Sequence, residues 1–160
     1  MPDDDAEALG ELLVRAARGQ RRRWRDTLTP WDLSPHHARA LRVVTDRTGT
    51  RLSDLAEALH IAPRSATEVA DALQARGLVE RTPDPTDRRA VVLAPTEEGR
   101  RVQAEIAAAR AADNRDLFAR LTADDRATLA RILRTLSDWE TARDRTQMSW
   151  SGPEIVVPRT

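Results

Sequence analysis

The chain has 160 residues, 32% charged and 40% hydrophobic, with 26 basic and 26 acidic side chains giving a formal net charge of +0. That length suits one domain or one subunit of an intertwined dimer, no apolar run approaches the roughly 20 residues of a membrane span, and neutrality argues against an indiscriminate polyanion binder. With no cysteine the sequence offers no thiol switch, and three histidines, His36, His37 and His60, argue against a three- or four-ligand zinc site built from His and Cys.

The acidic start, Met1-Pro2-Asp3-Asp4-Asp5, does not read as a signal peptide, so the expectation is a cytoplasmic protein with no membrane association. Asp5 to about Leu28 reads as one long helix, because Leu9, Leu12, Leu13, Ala16, Ala17, Trp24 and Leu28 recur at helical spacing. Five arginines between Arg18 and Arg25 read first as a solvated helix face. Pro30 ends this helix. Ser34-Pro35 then reads as a cap followed by a helix to about Arg47, with Ala38, Leu41, Val44 and Thr45 inward and Gly49 breaking it.

From Leu52 to Thr96 the pattern tightens. Ser53 is expected to cap a short helix whose inward face is Leu52, Leu55, Ala56 and Leu59. His60-Ile61-Ala62 is a turn, and Pro63 fits the first position of a second helix that turns Ala66, Val69, Ala70 and Leu73 inward. Gly77 is the expected stop. Leu78–Arg81 and Ala90–Leu93 read as strands around the turn-forming loop Thr82 to Arg89. This is the order of a winged helix-turn-helix, mainly α with a small β-hairpin. The second helix would enter a DNA major groove and the arginine-bearing loop the adjacent minor groove.

Every basic residue is arginine, whose fork suits phosphate and guanine. Residues 51–101 nevertheless hold eight arginines against nine acids, so DNA binding must rest on local placement.

Thr96 is expected to cap a long helix with Glu97 and Glu98 in its first turn, continuing through Val102, Ile106, Ala109 and Ala112. Thr122 starts a last helix carrying Leu129, Ile132, Leu133, Leu136 and Trp139 in one stripe. A small domain has little core to cover both terminal stripes, so a homodimer is expected, with Leu9, Leu12, Leu13, Leu129, Ile132, Leu136 and Trp139 at its interface. The resulting division is 5–31 with 97–142 as a helical dimerisation region, 34–96 as the winged lobe, and 143–160 as an extended tail.

Leu55-Ala56, Thr67, Val69, Leu73, Arg76-Gly77-Leu78-Val79-Glu80-Arg81, Asp87-Arg88-Arg89 and Thr96-Glu97-Glu98-Gly99 together resemble the MarR family of bacterial transcription regulators. The likeness is strong from about Leu33 to Arg101. Its wing signature, Asp-x-Arg before a strand and Leu-Thr, falls on Asp87, Arg89 and Thr96, with Pro95 in place of the usual Leu. Glu68 stands where the family commonly has a basic or polar contact residue. The resemblance implies a dimeric regulator, here a repressor binding a pseudo-palindromic operator in double-stranded DNA. Pro63, Arg64, Ser65 and Thr67 would serve the groove and phosphate contacts. Arg89 would enter the minor groove, Arg88 would contact the backbone, and Asp87 would support the wing by orienting an arginine. It also implies an effector pocket where the dimerisation helices meet the lobe. The candidates there are Trp24, Leu28, Trp31, His36, His37 and Leu41, suited to a small aromatic or anionic ligand.

No phosphate-binding glycine loop or nucleophile elbow occurs. His36-His37 beside Ser34 do not make a catalytic pair, because adjacent helical residues diverge. The expectation is a non-enzymatic protein without cofactor or metal. The rival reading is a winged-helix protein-interaction module that does not bind DNA, suggested by Glu68 and the neutral charge.

Overall fold

The computed structural model describes residues 2–47, 49–84, 87 and 90–148, and the side chains of 5–47, 49–84, 87 and 90–139. Helix α1 spans Pro2–Leu28 and is followed by a 3-10 turn at Thr29–Trp31. Helices α2 (Pro35–Asp46), α3 (Leu52–Leu59) and α4 (Pro63–Ala75) precede strands β1 (Val79–Pro83) and β2 (Val91–Pro95). Helices α5 (Glu97–Phe118) and α6 (Ala123–Met148) complete the order. The chain forms two compact units, residues 1–115 and 116–160.

In the first unit the core gathers Leu28, Leu33, Leu41 and Val44 with Leu55, Leu59, Val69 and Leu73, closed by Leu78, Val79, Leu93, Val102 and Ile106. Ser34 caps α2 as expected: its Oγ accepts from the His37 N–H at 3.1 Å, and Pro35 stands first in the helix. The expected cap of α3 was wrong. Arg51 occupies the N-cap and Ser53 lies inside the helix, while Asp54 accepts from the Arg51 N–H at 3.2 Å. The cause is tertiary. Thr50 exchanges two backbone hydrogen bonds with Leu93, at 3.0 and 2.8 Å, which fixes the chain as extended until Arg51 and starts the helix at Leu52.

Helix α4 buries the four residues its periodicity chose, Ala66, Val69, Ala70 and Leu73. It ends in a Schellman motif: Leu78 N–H donates to Leu73 O at 3.0 Å and Gly77 N–H to Gln74 O at 2.9 Å, with Gly77 at φ 68°. Strands β1 and β2 pair antiparallel with Val79 opposite Pro95 and Pro83 opposite Val91. They sit one to two residues later than expected, because Pro83 and Pro95 are accommodated at strand ends of a two-stranded ribbon, where a missing N–H costs little.

Thr96 caps α5, its Oγ accepting from Gly99 N–H at 2.9 Å while donating to Gly77 O at 2.7 Å. Gly99 is there because nothing larger fits: a Cβ would lie 1.9 Å from Leu78 O.

In the second unit, Thr122 Oγ1 accepts from Asp125 N–H at 3.1 Å and so caps α6. Arg126 donates to Phe118 O at 3.2 Å, at the end of α5, and to Leu121 O at 2.8 Å, in the turn that follows it. Helix α6 runs to Met148, so residues 143–148 of the expected extended tail are helical; its remainder lies outside the described residues.

Candidate nucleic-acid interface

Helix α4 is two-faced. Behind it lies the core; in front stand Arg64, Glu68 and Asp71, exposed, with Ser65 and Thr67 half-buried. Pro63 opens the helix without a donor to leave unpaired. Thr67 Oγ1 donates to Pro63 O at 3.2 Å, which keeps its oxygen lone pairs available as acceptors. Arg64 Nε donates to Glu68 Oε1 at 3.3 Å, one turn along the helix. Pro63, Arg64, Ser65 and Thr67 therefore share the opening turns of one helix.

Two arginines, Arg81 and Arg76, position this helix against the hairpin and the linker, and a third, Arg51, fastens the wing to α3. Arg81 on β1 pairs with Asp71 at 2.5 Å and also donates to Gln74, tying the strand to the back half of α4. Arg51 donates to Asp84 Oδ2 from Nε at 2.9 Å and from its terminal nitrogen at 2.5 Å, fixing the entry of the wing to the start of α3. Asp84 is buried, 6% exposed, so this carboxylate requires its cation. The Asp84 hydrogen bond, then its charge, and more weakly the charges of Asp87 and Asp54, favour Arg51's protonated form. Arg76 donates to Asp32 O at 2.7 Å and pairs with Asp32 Oδ2 at 2.9 Å, anchoring the end of α4 to the linker after α1.

The loop itself turns on backbone bonds from Asp84 N–H to Ala90 O at 3.0 Å and from Ala90 N–H to Asp87 O at 2.9 Å. Asp87 is exposed. Arg88 and Arg89, the expected wing contacts, lie outside the described residues.

A second feature lies on the other side of α2. An open cleft of about 710 Å³ is lined by Trp24 of α1, His36, Arg39 and Arg42 of α2, and Gln103, Arg110 and Asn114 of α5. Arg110 stacks 4.5 Å over the Trp24 ring. Gln103 Oε1 is buried without a hydrogen-bond partner among the described residues. Of the six expected ligand residues, Trp24 and His36 line this cleft. Leu28 and Leu41 do not: both are fully buried in the core. Trp31 is half-buried, with Nε1 donating to Glu105 at 3.1 Å. His37 turns to Ser34, its Nδ1 3.0 Å from Oγ. Burial first, then the charges of Arg76 and His36, lowers His37's pKa below the usual imidazole value.

Sequence reasoning missed Arg51, Arg81 and Asp84, which hold the wing, and Arg39, Arg42, Gln103 and Arg110, which line the cleft. No periodic signal pointed to any of them: alternation along β1 would set Arg81 on the face of buried Val79, whereas Glu80 and Arg81 are both exposed. Among the described residues no group of three or more His, Asp or Glu could hold a metal ion, and no helix is long and apolar enough to cross a membrane.

The sequence model of the MarR family matches residues 33–91. A transcriptional regulatory protein described for the hcr operon of Thauera aromatica is 33% identical over 131 residues, covering 79% of each chain. The fold is that of a MarR family protein from Bacillus stearothermophilus, with TM-score 0.77, 23% identity, and coverage of 88% of this chain and 99% of that one. CouR from Rhodococcus jostii RHA1, solved bound to p-coumaroyl-CoA, superposes with TM-score 0.68 at 26% identity, covering 82% of this chain and 92% of CouR.

Proposed function

Because the chain belongs to the MarR family of DNA-binding transcription regulators, we propose that it works as a homodimeric, effector-responsive repressor. Its two α4 helices dock on half-sites of a pseudo-palindromic operator, about one helical turn apart. The observation that carries this is the front of α4, where Arg64, Ser65 and Thr67 open an exposed helix face beside a hairpin fastened by Arg81 and Arg51. Pro63 sets the helix start. Arg89 enters the minor groove, Arg88 meets the phosphate backbone, and Asp87 steadies an arginine at the wing. The apolar stripes of α1 and α6, with Leu9, Leu12, Leu13, Ile132, Leu136 and Trp139 exposed and Leu129 half-buried, supply the dimer contacts.

The test is fluorescence anisotropy with the duplex upstream of the protein's own gene, and with a shuffled duplex, at two salt concentrations. Binding to the first should be tighter, and should weaken steeply with salt as phosphate contacts release counterions. No binding to either duplex at low salt would instead favour the protein-interaction module. Arg89→Ala should weaken the operator complex by about 1–3 kcal/mol with the dimer intact.

The Trp24 cleft favours an effector reading. Three arginines and an aromatic wall suit an anion with an aromatic group, the kind of ligand CouR was solved with. Such a ligand would release DNA only through different affinities for the DNA-competent and incompetent states. Benzoate or an aryl-CoA thioester should quench tryptophan fluorescence and lower operator anisotropy, and Arg110→Ala should blunt both. Unchanged signals would remove this cleft from the mechanism.

A further inference from the structure

An acid on the DNA-facing surface of α4 needs a reason. Glu68 lies one turn beyond Arg64, both side chains are largely exposed at 67% and 92%, and the carboxylate engages the guanidinium at Nε, 3.3 Å away. A carboxylate facing phosphates would repel them unless neutralised, and Arg64 neutralises it. The pair as a whole then adds nothing to general attraction for the duplex. What it can add is direction. Arginine reads guanine through two parallel N–H groups aimed at O6 and N7, and a free arginine at this exposure samples many rotamers. A partner on Nε leaves the two terminal nitrogens as the presented fork.

We propose that Glu68 is a positioning residue for Arg64: its carboxylate holds the guanidinium by Nε so that the two terminal nitrogens meet guanine O6 and N7 in each operator half-site. The inference rests on the DNA-binding reading of α4 and deepens it. On the open surface such an i,i+4 pair contributes little. Within a desolvated groove the same pair strengthens, because water no longer screens it. Glu68 therefore acts through selectivity rather than through stability. The competing role, direct acceptance from a cytosine N4, would require the carboxylate to leave the arginine it already holds.

The test is selection of duplexes from a random-sequence library by the wild-type protein, Glu68→Gln and Arg64→Ala, followed by anisotropy on the enriched duplex. Melting curves of the three proteins check folding. The wild type should enrich one guanine per half-site. Arg64→Ala should lose that guanine. Glu68→Gln should discriminate it about tenfold less well while binding shuffled DNA at least as tightly, since a negative charge is gone. Replacing the guanine by 7-deazaguanine should weaken the wild type far more than Glu68→Gln. A role confined to helix stability would lower melting and weaken all duplexes alike, and that result would overturn the proposal. So would an unchanged guanine preference in Glu68→Gln. Loss at a cytosine, sensitive to N4-methylation even with Arg64→Ala, would overturn it in favour of direct cytosine reading. If the wild type enriches no sequence, the DNA-binding reading of α4 fails as well, whereas each of the other results leaves that reading standing.

Discussion

The winged lobe and the first half of α1 carry comparable apolar patterns and meet opposite fates. In the lobe, Leu55, Leu73 and Leu93 are buried to within 1% of completely. In α1, every residue from Asp5 to Arg18 is exposed, and Leu9, Leu12, Leu13 and Val14 keep 49–66% of their surface in water. Periodicity shows that a helix has an apolar face; it does not show what covers it. The lobe finds its cover within the chain, and the α1 stripe is where a second copy is proposed to supply it.

The largest effect that would break this contrast is expected at a glycine. A Cβ on Gly99 would press against the Leu78 backbone, which is also the acceptor for the Thr96 N–H at 3.2 Å. Neither α5 nor the strand can retreat without losing the Thr96 cap. Gly99→Ala should therefore cost about 3 kcal/mol or more, at the upper end for overpacking, read as a shift in the urea midpoint. At Gly10 in α1, an added Cβ meets nothing within 4 Å. Gly10→Ala should leave the lobe intact and gain up to about 1 kcal/mol of helix propensity. Similar responses at the two positions would mean that the lobe is less tightly built than its geometry.

Charging the exposed stripe is the intermediate case. If Leu12 and Leu13 are buried by a partner copy, each contributes about 1.5–3 kcal/mol to association. Leu12→Glu with Leu13→Glu should then weaken the dimer about a hundredfold or more, giving monomers by sedimentation at micromolar concentration. The far-ultraviolet spectrum and unfolding of the lobe should change little. A dimer that survives the double substitution would leave the α1 stripe without its proposed role.

The same contrast explains what was legible in the sequence. Features set by neighbours along the chain were readable: the Ser34-Pro35 start, the Gly77 stop, and the inward set Ala66, Val69, Ala70 and Leu73. Features set across the chain were not. Ser53 looked like a cap because its neighbours suit one, but Thr50 pairs with Leu93, 43 positions away, and moves the helix start. Leu28 and Leu41 were correctly inward, yet inward led to the core rather than to the cleft. Arg51 and Asp84 are 33 positions apart, with no periodic signal connecting them. That Pro63, Arg64, Ser65 and Thr67 share the opening turns of one helix was legible, whereas the ion pairs and the cleft, where two elements must meet, were not.

The smallest expected effect sharpens the comparison at the seam between these regions. His37 opens α2 just after the linker that Arg76 anchors. Burial first, then Arg76 and His36 nearby, lowers its folded-state pKa beneath the unfolded value of about 6.5. Below that value the unfolded chain takes up a proton more readily than the folded one, so protonation favours unfolding. The stability associated with neutral His37 is therefore fully present above about pH 6.5 and declines as the pH falls toward the lower, folded-state pKa. Thermal melts should show a smaller loss on acidification through this window for His37→Gln than for the wild type. The stripe variant Leu12→Glu with Leu13→Glu should retain the wild-type pH response, because His37, Ser34 and Arg76 all lie outside the stripe. A response that disappears with the stripe would tie the linker to dimer assembly and erase the boundary between the two regions.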